Sequence, residues 1–288
     1  MITHNGTYLL HATHHGMPIV AATMGGEMIL DGKWLQPATQ LAIVAAFGSA
    51  EGTEVIRKTN DYLNQIATTD PQRALLLAGF INEDPMLVCS LVETSKTRWL
   101  VGDGKACIDT GVDYSTMKSS VHFFVKFMLN TSLTGENDFW GKGEGGTPTI
   151  GFQGTTYFSW ATSGSSWNPT TTPATLNTPH TYGIKFMLNK GREADIDGVH
   201  YSTTTHNNQF GGSANTIHFF ASTVGRYPIK TMASNGRLTI DEEVVRDFIP
   251  MQRTDGTCGM LDIISGTFYP NANTEGSFTI ALTDKTTS

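Results

Sequence analysis

The sequence has few cysteines and few charged residues, and it has no long apolar run. Its three cysteines, Cys89, Cys107 and Cys258, lie far apart and form no Cys-x-x-Cys pair, so neither a disulfide framework nor a zinc site is indicated and we expect buried thiols. No stretch approaches the roughly 18 apolar residues that a membrane-spanning helix needs. Charged residues are only 16% of the chain, and abundant Gly, Ser, Thr and Asn beside them are typical of a turn-rich β protein.

Basic clusters are also missing. The net charge is -7, which argues against a nucleic-acid partner because phosphate binding depends on grouped Lys and Arg. The first residues, MITHNGTYLLHATHHGMPIV, contain no basic stretch followed by an apolar core. We therefore expect no secretory signal and a protein that folds in a cytoplasm.

Within the first third of the chain, the spacing of apolar residues changes once, from that of strands to that of helices. Three short alternating pieces, TYLLHA, MPIVAAT and EMILDGKW, are separated by Gly-containing turns and predict a small β-meander. Three pieces with helical spacing follow, QLAIVAAF, TEVIRKTNDYLNQIA and DPQRALLLAGFI, each bounded by Pro, Asp or Gly. We predict an N-terminal segment over residues 1–96, with a meander and then short helices, that anchors or oligomerises the protein.

From about Thr97 the spacing becomes that of strands, so residues 97–288 are predicted as a second, all-β domain. One predicted strand, VHFFVKFML, places these residues on one face: Val121, Phe123, Val125, Phe127 and Leu129. The phrase FVKFMLN at 124–130 is echoed by GIKFMLN at 183–189. Two strands in similar sheet positions explain the echo more simply than a duplicated domain does.

Residues 97–282 resemble the laminin-G-like, concanavalin-A-like jelly-roll domains of Bacteroides-type gut bacteria and their phages. The matching phrases are GDGKACIDTGV at 102–112, ADIDGVHY at 194–201, IHFFAS at 217–222 and the closing stretch at 246–278. The matching positions of the closing stretch are Arg246, Asp247, Phe248, Pro250, Arg253, Asp255, Gly256, Gly259, Met260, Asp262, Ser265, Gly266, Phe268, Tyr269, Asn271, Gly276 and Phe278. The resemblance implies a mainly β, jelly-roll β-sandwich and leaves the ligand open, because such domains share the sandwich and vary its loops.

The N-terminal phrase HHGMPIVAATMGGEMILDGKW is similar to a hairpin phrase at the start of many phage structural proteins from those hosts. It implies a virion protein, such as a head fibre, a capsid decoration or a tail-fibre component that displays the sandwich toward host-surface glycans. Implied partners are other virion proteins bound through the N-terminal segment, and a homo-oligomer is expected. Assembly in the host cytoplasm with release by lysis would explain an outward-facing domain without an export signal. A bacterial surface adhesin is the alternative that needs such a signal.

The phrase Glu193-Ala-Asp195-Ile-Asp197 is the clearest enzyme-like pattern. Jelly-roll glycosidases of the laminarinase type carry an E-x-D-x-E strand, and alternate strand residues share a face. Two carboxylates about 5 to 5.5 Å apart suit a retaining mechanism. Here the last position is an aspartate, and Asp197-Gly198 is typical of a hairpin turn. We predict no enzyme activity, with a glycan-active enzyme using Glu193 and Asp197 as the alternative.

Other polar groups suggest metal or phosphate sites only superficially. The third acidic ligand and the distal Glu of an EF-hand are missing around Asp195 and Asp197, so no cofactor is expected, although jelly rolls can hold calcium between separate loops. His4, His11, His14 and His15 are clustered, but neighbouring strand positions point to opposite faces, which favours surface or interface histidines over a metal site. The glycine-rich GKGEGG at 141–146 lacks the ending of a phosphate loop.

Carbohydrate binding needs aromatic side chains that stack on sugar faces, beside amides and hydroxyls that bond sugar hydroxyls. The candidates are Trp140, Trp160, Trp167 and Asn168, the last two within the loop SGSSWNPTTTP. Trp140 and Trp160 are alternatively core residues of strands. Trp167, between Ser166 and Asn168, is the best candidate for an exposed ring.

Overall fold

A computed structural model describes the backbone of 2–4, 7–14, 17–24, 27–29, 34–141, 149–153, 157–162, 165–167, 174–203, 216–221, 224–225 and 228–285. Side chains are described for 34–141, 149–152, 174–203, 216–221, 224–225 and 228–285. The chain forms two compact units, one made of 1–97 with 284–288 and one made of 98–283. The last residues therefore group with the N-terminal segment, since Asp284 pairs with Lys96 and the Lys285 N–H donates to the Ser95 carbonyl at 2.8 Å.

The first unit begins with a four-stranded antiparallel sheet in the order β1-β2-β3-β4. Its strands are β1 (Ile2–His4), β2 (Thr7–His14), β3 (Met17–Met24) and β4 (Glu27–Ile29). The predicted meander is thus confirmed, with one more strand than the pattern indicated. His4, His11 and His14 lie on β1 and β2; their side chains, and His15 altogether, lie outside the described residues.

Helices follow the meander, as predicted. They are α1 (Pro37–Phe47), α2 (Ser49–Ala67), α3 (Pro71–Glu83) and α4 (Val88–Leu91), with a 3₁₀ turn at Pro85–Leu87. Asp70 caps α3 by accepting the Arg73 N–H at 3.0 Å, ahead of Pro71 in the first turn. Helix α2 buries Val55 and Leu63.

Close packing of α1 on α2 depends on a glycine. A Cβ at Gly52 would lie 2.7 Å from the Cα of Val44. In the part of the chain that the structure describes, no single helix is long and apolar enough to cross a membrane, although the bent pair Pro71–Glu83 and Pro85–Leu91 passes the same criteria of length and composition.

The second unit is a β-sandwich; Lys96 and Thr97 at the start of its first strand and Asp284 at the end of its last strand group with the first unit. Its strands are β5 (Lys96–Gly102), β6 (Ile108–Asp113), β7 (Ser120–Met128), β8 (Glu136–Gly141), β9 (Thr149–Gln153), β10 (Tyr157–Thr162), β11 (Ser165–Trp167), β12 (Pro179–Met187), β13 (Gly191–Ile196), β14 (Val199–Thr203), β15 (Thr216–Phe219), β16 (Met232–Ile240), β17 (Glu243–Gln252), β18 (Cys258–Asp262), β19 (Thr267–Pro270) and β20 (Phe278–Asp284). The larger sheet has the order β14-β13-β12-β7-β16-β17-β18-β19, with β5 joined to β16 and β20. The smaller sheet has the order β11-β10-β9-β8-β15-β6.

The predicted fold class is confirmed. The chain is mainly β, and its large antiparallel sheets form a jelly-roll-like sandwich. On β7 the inward residues Val121, Phe123, Val125 and Phe127 are fully buried, as their alternation predicted. The echoed phrases lie on β7 and β12, which are neighbours in the larger sheet.

A stack of aromatic rings fills the space between the two sheets. Trp140 of the smaller sheet stacks on Phe219 with ring centroids 4.3 Å apart and lies 5.7 Å from Phe123 of the larger sheet. Its indole N–H donates to the carbonyl of Phe124 at 3.1 Å. Gly236 leaves room for this stack, because a Cβ there would lie 2.7 Å from the Phe219 ring.

The closing stretch at 246–278 folds into β17, β18 and β19 around a buried carboxylate. Asp262 accepts the Asp247 N–H at 2.9 Å and the Ser265 hydroxyl at 2.6 Å. The hydrogen bonds that Asp262 accepts fix the turn that joins β18 to β19. The stretch is therefore a structural element, which is what its alternation of apolar runs and turns predicted.

The three cysteines are free and buried, as expected. Burial raises the pKa of Cys107 to about 11, so this thiol stays protonated at neutral pH.

Candidate functional site

Over β14, β13, β12, β7 and β16, the larger sheet has one side turned away from the core, and the side chains there are mainly polar. On β17 and β18 the same side carries the buried Ile249, Met251 and Leu261. Since alternate residues of a strand share a side, the outward residues of β7 are His122, Phe124 and Lys126, all half-buried. On neighbouring strands the outward residues lie opposite these in register. Together they form rows of side chains that run across the sheet.

Two adjacent rows define what we call the outer face. The first row runs His200, Asp195, Gly183, Phe124, Arg237 and Asp247 across β14, β13, β12, β7, β16 and β17. The second row runs Ser202, Glu193, Lys185, His122 and Thr239 across β14, β13, β12, β7 and β16.

The centre of the outer face is a glycine flanked by two rings. A Cβ at Gly183 would lie 3.0 Å from Nε2 of His122 and 3.6 Å from Cδ2 of Phe124. Each ring therefore approaches the backbone of Gly183 with one edge atom, and Gly183 is buried. The two half-buried rings are thus neighbours at a place where most positions of the two rows carry charged or hydroxyl groups.

The basic groups beside the rings are held by carboxylates. Arg237 donates to Asp247 at 2.8 Å, and Asn235 donates to the other oxygen of Asp247 at 3.1 Å. Lys185 pairs with Glu242 at 2.7 Å. These contacts pair both basic groups with carboxylates, of which Asp247 is buried and Glu242 is exposed.

Two carboxylates flank the rings on the opposite side, on β13. Asp195 is directly opposite Gly183 in register and contacts the His200 ring at 3.0 Å. Glu193 is opposite Lys185 and half-buried. Carboxylate oxygens accept hydrogen bonds from ligand hydroxyls, so β13 supplies acceptors next to the two rings.

His122 is a neutral group within this charged setting. Burial lowers the pKa of His122 below its ordinary value of 6.5, and Lys185 and Arg237 act in the same direction, while Asp195 and Glu242 oppose them. A neutral imidazole offers one N–H donor and one acceptor nitrogen.

Asp197 does not belong to the outer face. It has a φ of 50° and Gly198 a φ of 79°, which confirms the predicted hairpin turn between β13 and β14. Its carboxylate accepts the Thr181 N–H at 2.7 Å and contacts Nδ1 of the buried His180 at 2.6 Å. Nε2 of His180 lies 3.1 Å from both the hydroxyl and the carbonyl oxygen of Thr175. Asp197 is thus engaged in holding the loop that precedes β12.

The predicted tryptophans take different places. Trp140 is fully buried and its N–H is occupied, so its predicted contact with a sugar is corrected: the ring is a core group whose face is already stacked. Register partners put Trp140, Ile150, Trp160 and Trp167 in one row across β8, β9, β10 and β11. The side chains of Trp160 and Trp167 and all of Asn168 lie outside the described residues, so their role stays a prediction.

Within the described side chains, no group of three or more His, Cys, Asp or Glu is arranged to hold a metal ion. The GKGEGG segment lies outside the described residues beyond Gly141.

Sequence reasoning did not single out His122, Phe124 or Gly183. The alternation in β7 did place His122 and Phe124 on its outward side, but the strand that would face them could not be identified from the sequence. Gly183 was visible only as one letter of the echoed phrase.

No family model matches the chain, and no curated protein matches it. A solved structure of a provisionally assigned carbohydrate binding protein from Bacteroides ovatus is similar, with 12% identity, a TM-score of 0.46, and coverage of 66% of this chain and 60% of that one. Domain 4 of AbnA, a GH43 extracellular arabinanase from Geobacillus stearothermophilus solved with arabinotriose, has 18% identity, a TM-score of 0.34, and coverage of 44% and 63%. A receptor binding domain has 10% identity, a TM-score of 0.31, and coverage of 50% and 42%.

Proposed function

We propose that the β-sandwich is a glycan-binding module and that the outer face is its binding site. The observation that carries the proposal is the placement of the half-buried Phe124 ring beside Gly183, between the carboxylates of β13 and the Arg237–Asp247 pair. Sugar rings stack their apolar C–H faces on aromatic side chains, while their hydroxyls bond to surrounding polar groups.

The fixed geometry of the polar groups supports the same proposal. Asp247 is held by both Arg237 and Asn235, and Lys185 by Glu242. Groups that are ordered before binding lose less conformational entropy when the ligand arrives. A single shallow face of this kind binds weakly, and several copies in an oligomer would raise the avidity.

The test is binding of the full chain to a panel of immobilised polysaccharides, before and after Phe124→Ala. We expect the variant to lose binding by about tenfold or more, which corresponds to ~1.4 kcal/mol. Phe268→Ala is the matched control, because Phe268 is a half-buried Phe on β19, four strands away in the same sheet, and it should bind like the unaltered chain. Equal binding by the Phe124→Ala protein would refute the proposed site, and loss in Trp167→Ala instead would assign the site to the Trp160–Trp167 edge.

As the setting of this binding we propose a phage virion, in which residues 1–96 attach the protein to other virion proteins and make a homo-oligomer, and the sandwich faces host-surface glycans. This part of the proposal is supported only by the resemblance of the N-terminal phrase and of the sandwich. It predicts that the protein is found by mass spectrometry in purified particles, and that its mass in solution is a multiple of the chain mass. Its absence from particles would favour a bacterial glycan-binding adhesin instead.

A glycan-active enzyme is the second candidate, because Glu193 and Asp195 lie side by side along β13. The engagement of Asp197 with His180 and Thr181 disfavours the Glu193–Asp197 pair as the acid and nucleophile. We propose that the module binds without cleaving. Product analysis of a polysaccharide that the protein binds tests this, since shortened chains that disappear with Glu193→Gln would establish the enzyme.

A further inference from the structure

We infer that the outer face is built for uncharged sugar rings and rejects glycans that carry carboxylate or sulfate groups. The inference names the ligand class of the proposed site, and it therefore rests on the proposed function.

The cations of the outer face are already engaged. Arg237 forms its 2.8 Å contact with Asp247, and Lys185 its 2.7 Å contact with Glu242. An anionic ligand that displaced Asp247, with 10% of its side chain exposed, or Glu242, with 69%, would exchange one carboxylate partner of the cation for another. That exchange gains little, because one ion pair replaces another.

The carboxylates of β13 are acceptors near the rings, and one of them, Asp195, also contacts the His200 ring. On β13, Asp195 is opposite Gly183 in register and Glu193 is opposite Lys185, and about 60% of the Asp195 side chain is exposed. A sugar hydroxyl can donate to such a carboxylate in a charge-assisted hydrogen bond. A ligand carboxylate or sulfate at the same place would face like charge and have no proton to donate.

His122 does not add a positive charge that would attract an anionic ligand. Nε2 of its ring would lie 3.0 Å from a Cβ at Gly183, beside Phe124, and burial favours its neutral form. It therefore supplies a donor and an acceptor to hydroxyls and no positive charge to an anion.

Lys126 is the remaining cation on β7, one outward position beyond Phe124. Its register partners are Thr181 and Asn235, and it lies in the row beyond the one that contains Phe124. With Lys126 and Glu242 included, the outer face carries three cations, Lys126, Lys185 and Arg237. It carries four carboxylates, Glu193, Asp195, Glu242 and Asp247. The carboxylates outnumber the cations by one, so the local field opposes anionic glycans.

The experiment compares one polymer in two charge states. The full chain is titrated with a neutral linear galactan or glucan, and with the same polymer after oxidation of its primary alcohols to carboxylates. We expect the oxidised form to bind at least about tenfold more weakly, and binding of the neutral form to change by less than about twofold between roughly 50 mM and 500 mM salt. Stronger binding of the oxidised form, weakening with salt, would overturn the inference and leave the proposed function standing. Binding of neither form, nor of any glycan, would overturn both.

The double substitution E193Q/D195N tests the cause. Both changes keep the side-chain shapes and remove two negative charges, so the affinity for the oxidised polymer relative to the neutral one should rise by about fivefold or more. Glu136→Gln removes one exposed charge from β8 of the smaller sheet and should leave the ratio unchanged. An unchanged ratio in the double variant would show that β13 does not set the ligand class and would contradict the inference.

Discussion

Gly183 is the residue on which the geometry of the outer face depends most directly. The nearest side-chain atoms belong to the rings of His122 and Phe124, and an added Cβ would lie 3.0 Å from the nearest atom of His122. An alanine there displaces the rings slightly without touching the core.

We therefore predict that Gly183→Ala weakens glycan binding by about fivefold or more while the free energy of unfolding changes by less than about 1 kcal/mol. Urea unfolding and a binding titration on the same preparation measure the two effects. Unchanged binding would mean that the rings beside Gly183 do not contact the ligand.

Asp241 illustrates a carboxylate with a structural task. It accepts N–H groups from Lys118 at 3.1 Å, Ser119 at 2.6 Å and Ser120 at 3.0 Å, and also the Ser119 hydroxyl. Partial burial alone would raise the pKa of Asp241, but these hydrogen bonds lower it to about 2 from the ordinary 3.8. It thereby joins the β16–β17 hairpin to the segment before β7.

Because the folded pKa of Asp241 is depressed, its stabilising effect is present above about pH 4 and is lost as the pH falls toward 2. We predict that Asp241→Asn lowers the free energy of unfolding by about 1 kcal/mol or less at pH 7, since the group is only half-buried and solvent screens its interactions. The difference from the unaltered protein should shrink at pH 2.5. Glu243→Gln in the same hairpin is the control, and a difference that does not depend on pH would contradict the account.

At the scale of elements, the aromatic stack between the sheets also supports the outer face. The Trp140 indole donates to the backbone of Phe124 from the core side of β7, while the Phe124 side chain lies on the other side. The close approach of Gly236 to Phe219 and Trp140 allows this arrangement.

A methyl group at residue 236 would lie 2.7 Å from the Phe219 ring and 3.1 Å from Trp140. Gly236→Ala is therefore expected to lower the free energy of unfolding by about 1–3 kcal/mol through overpacking. Gly183→Ala is its matched control, since both exchanges lie on strands of one sheet but on opposite sides. Equal stability of the two variants in urea would show that the stack is looser than these distances imply.

Elements with a strong local pattern could be predicted from the sequence, and their partners could not. The alternation of β7, the helices α1 to α3 and the Asp197-Gly198 turn were predictable because each depends on neighbours in the chain. The row that joins Asp195, Gly183, Phe124 and Arg237 depends on register between strands far apart in sequence. Trp140 shows the same limit, because a tryptophan on a strand has the same local pattern whether it faces the core or a ligand.

At the scale of the whole molecule, the chain consists of two compact units, each with its own buried residues. Leu63 of α2 belongs to the first unit and Gly236 to the second, and Leu63 is fully buried. Units with separate cores can unfold in separate transitions.

We predict two transitions in calorimetry of the full chain. Leu63→Ala removes buried methyl groups at an expected loss of about 2–5 kcal/mol and should lower one transition temperature, while Gly236→Ala should lower the other. A single transition that both variants shift equally would show that the two units unfold together.

The central claim is that a sugar ring lies on the outer face of the larger sheet, and a crystal structure of the full chain with an oligosaccharide that it binds tests this most directly. The account predicts a sugar ring stacked on Phe124 above Gly183, with hydroxyls bonded to Glu193 or Asp195 on one side and to the Arg237–Asp247 pair on the other. A sugar found at the Trp160–Trp167 edge, with the outer face empty, would contradict it.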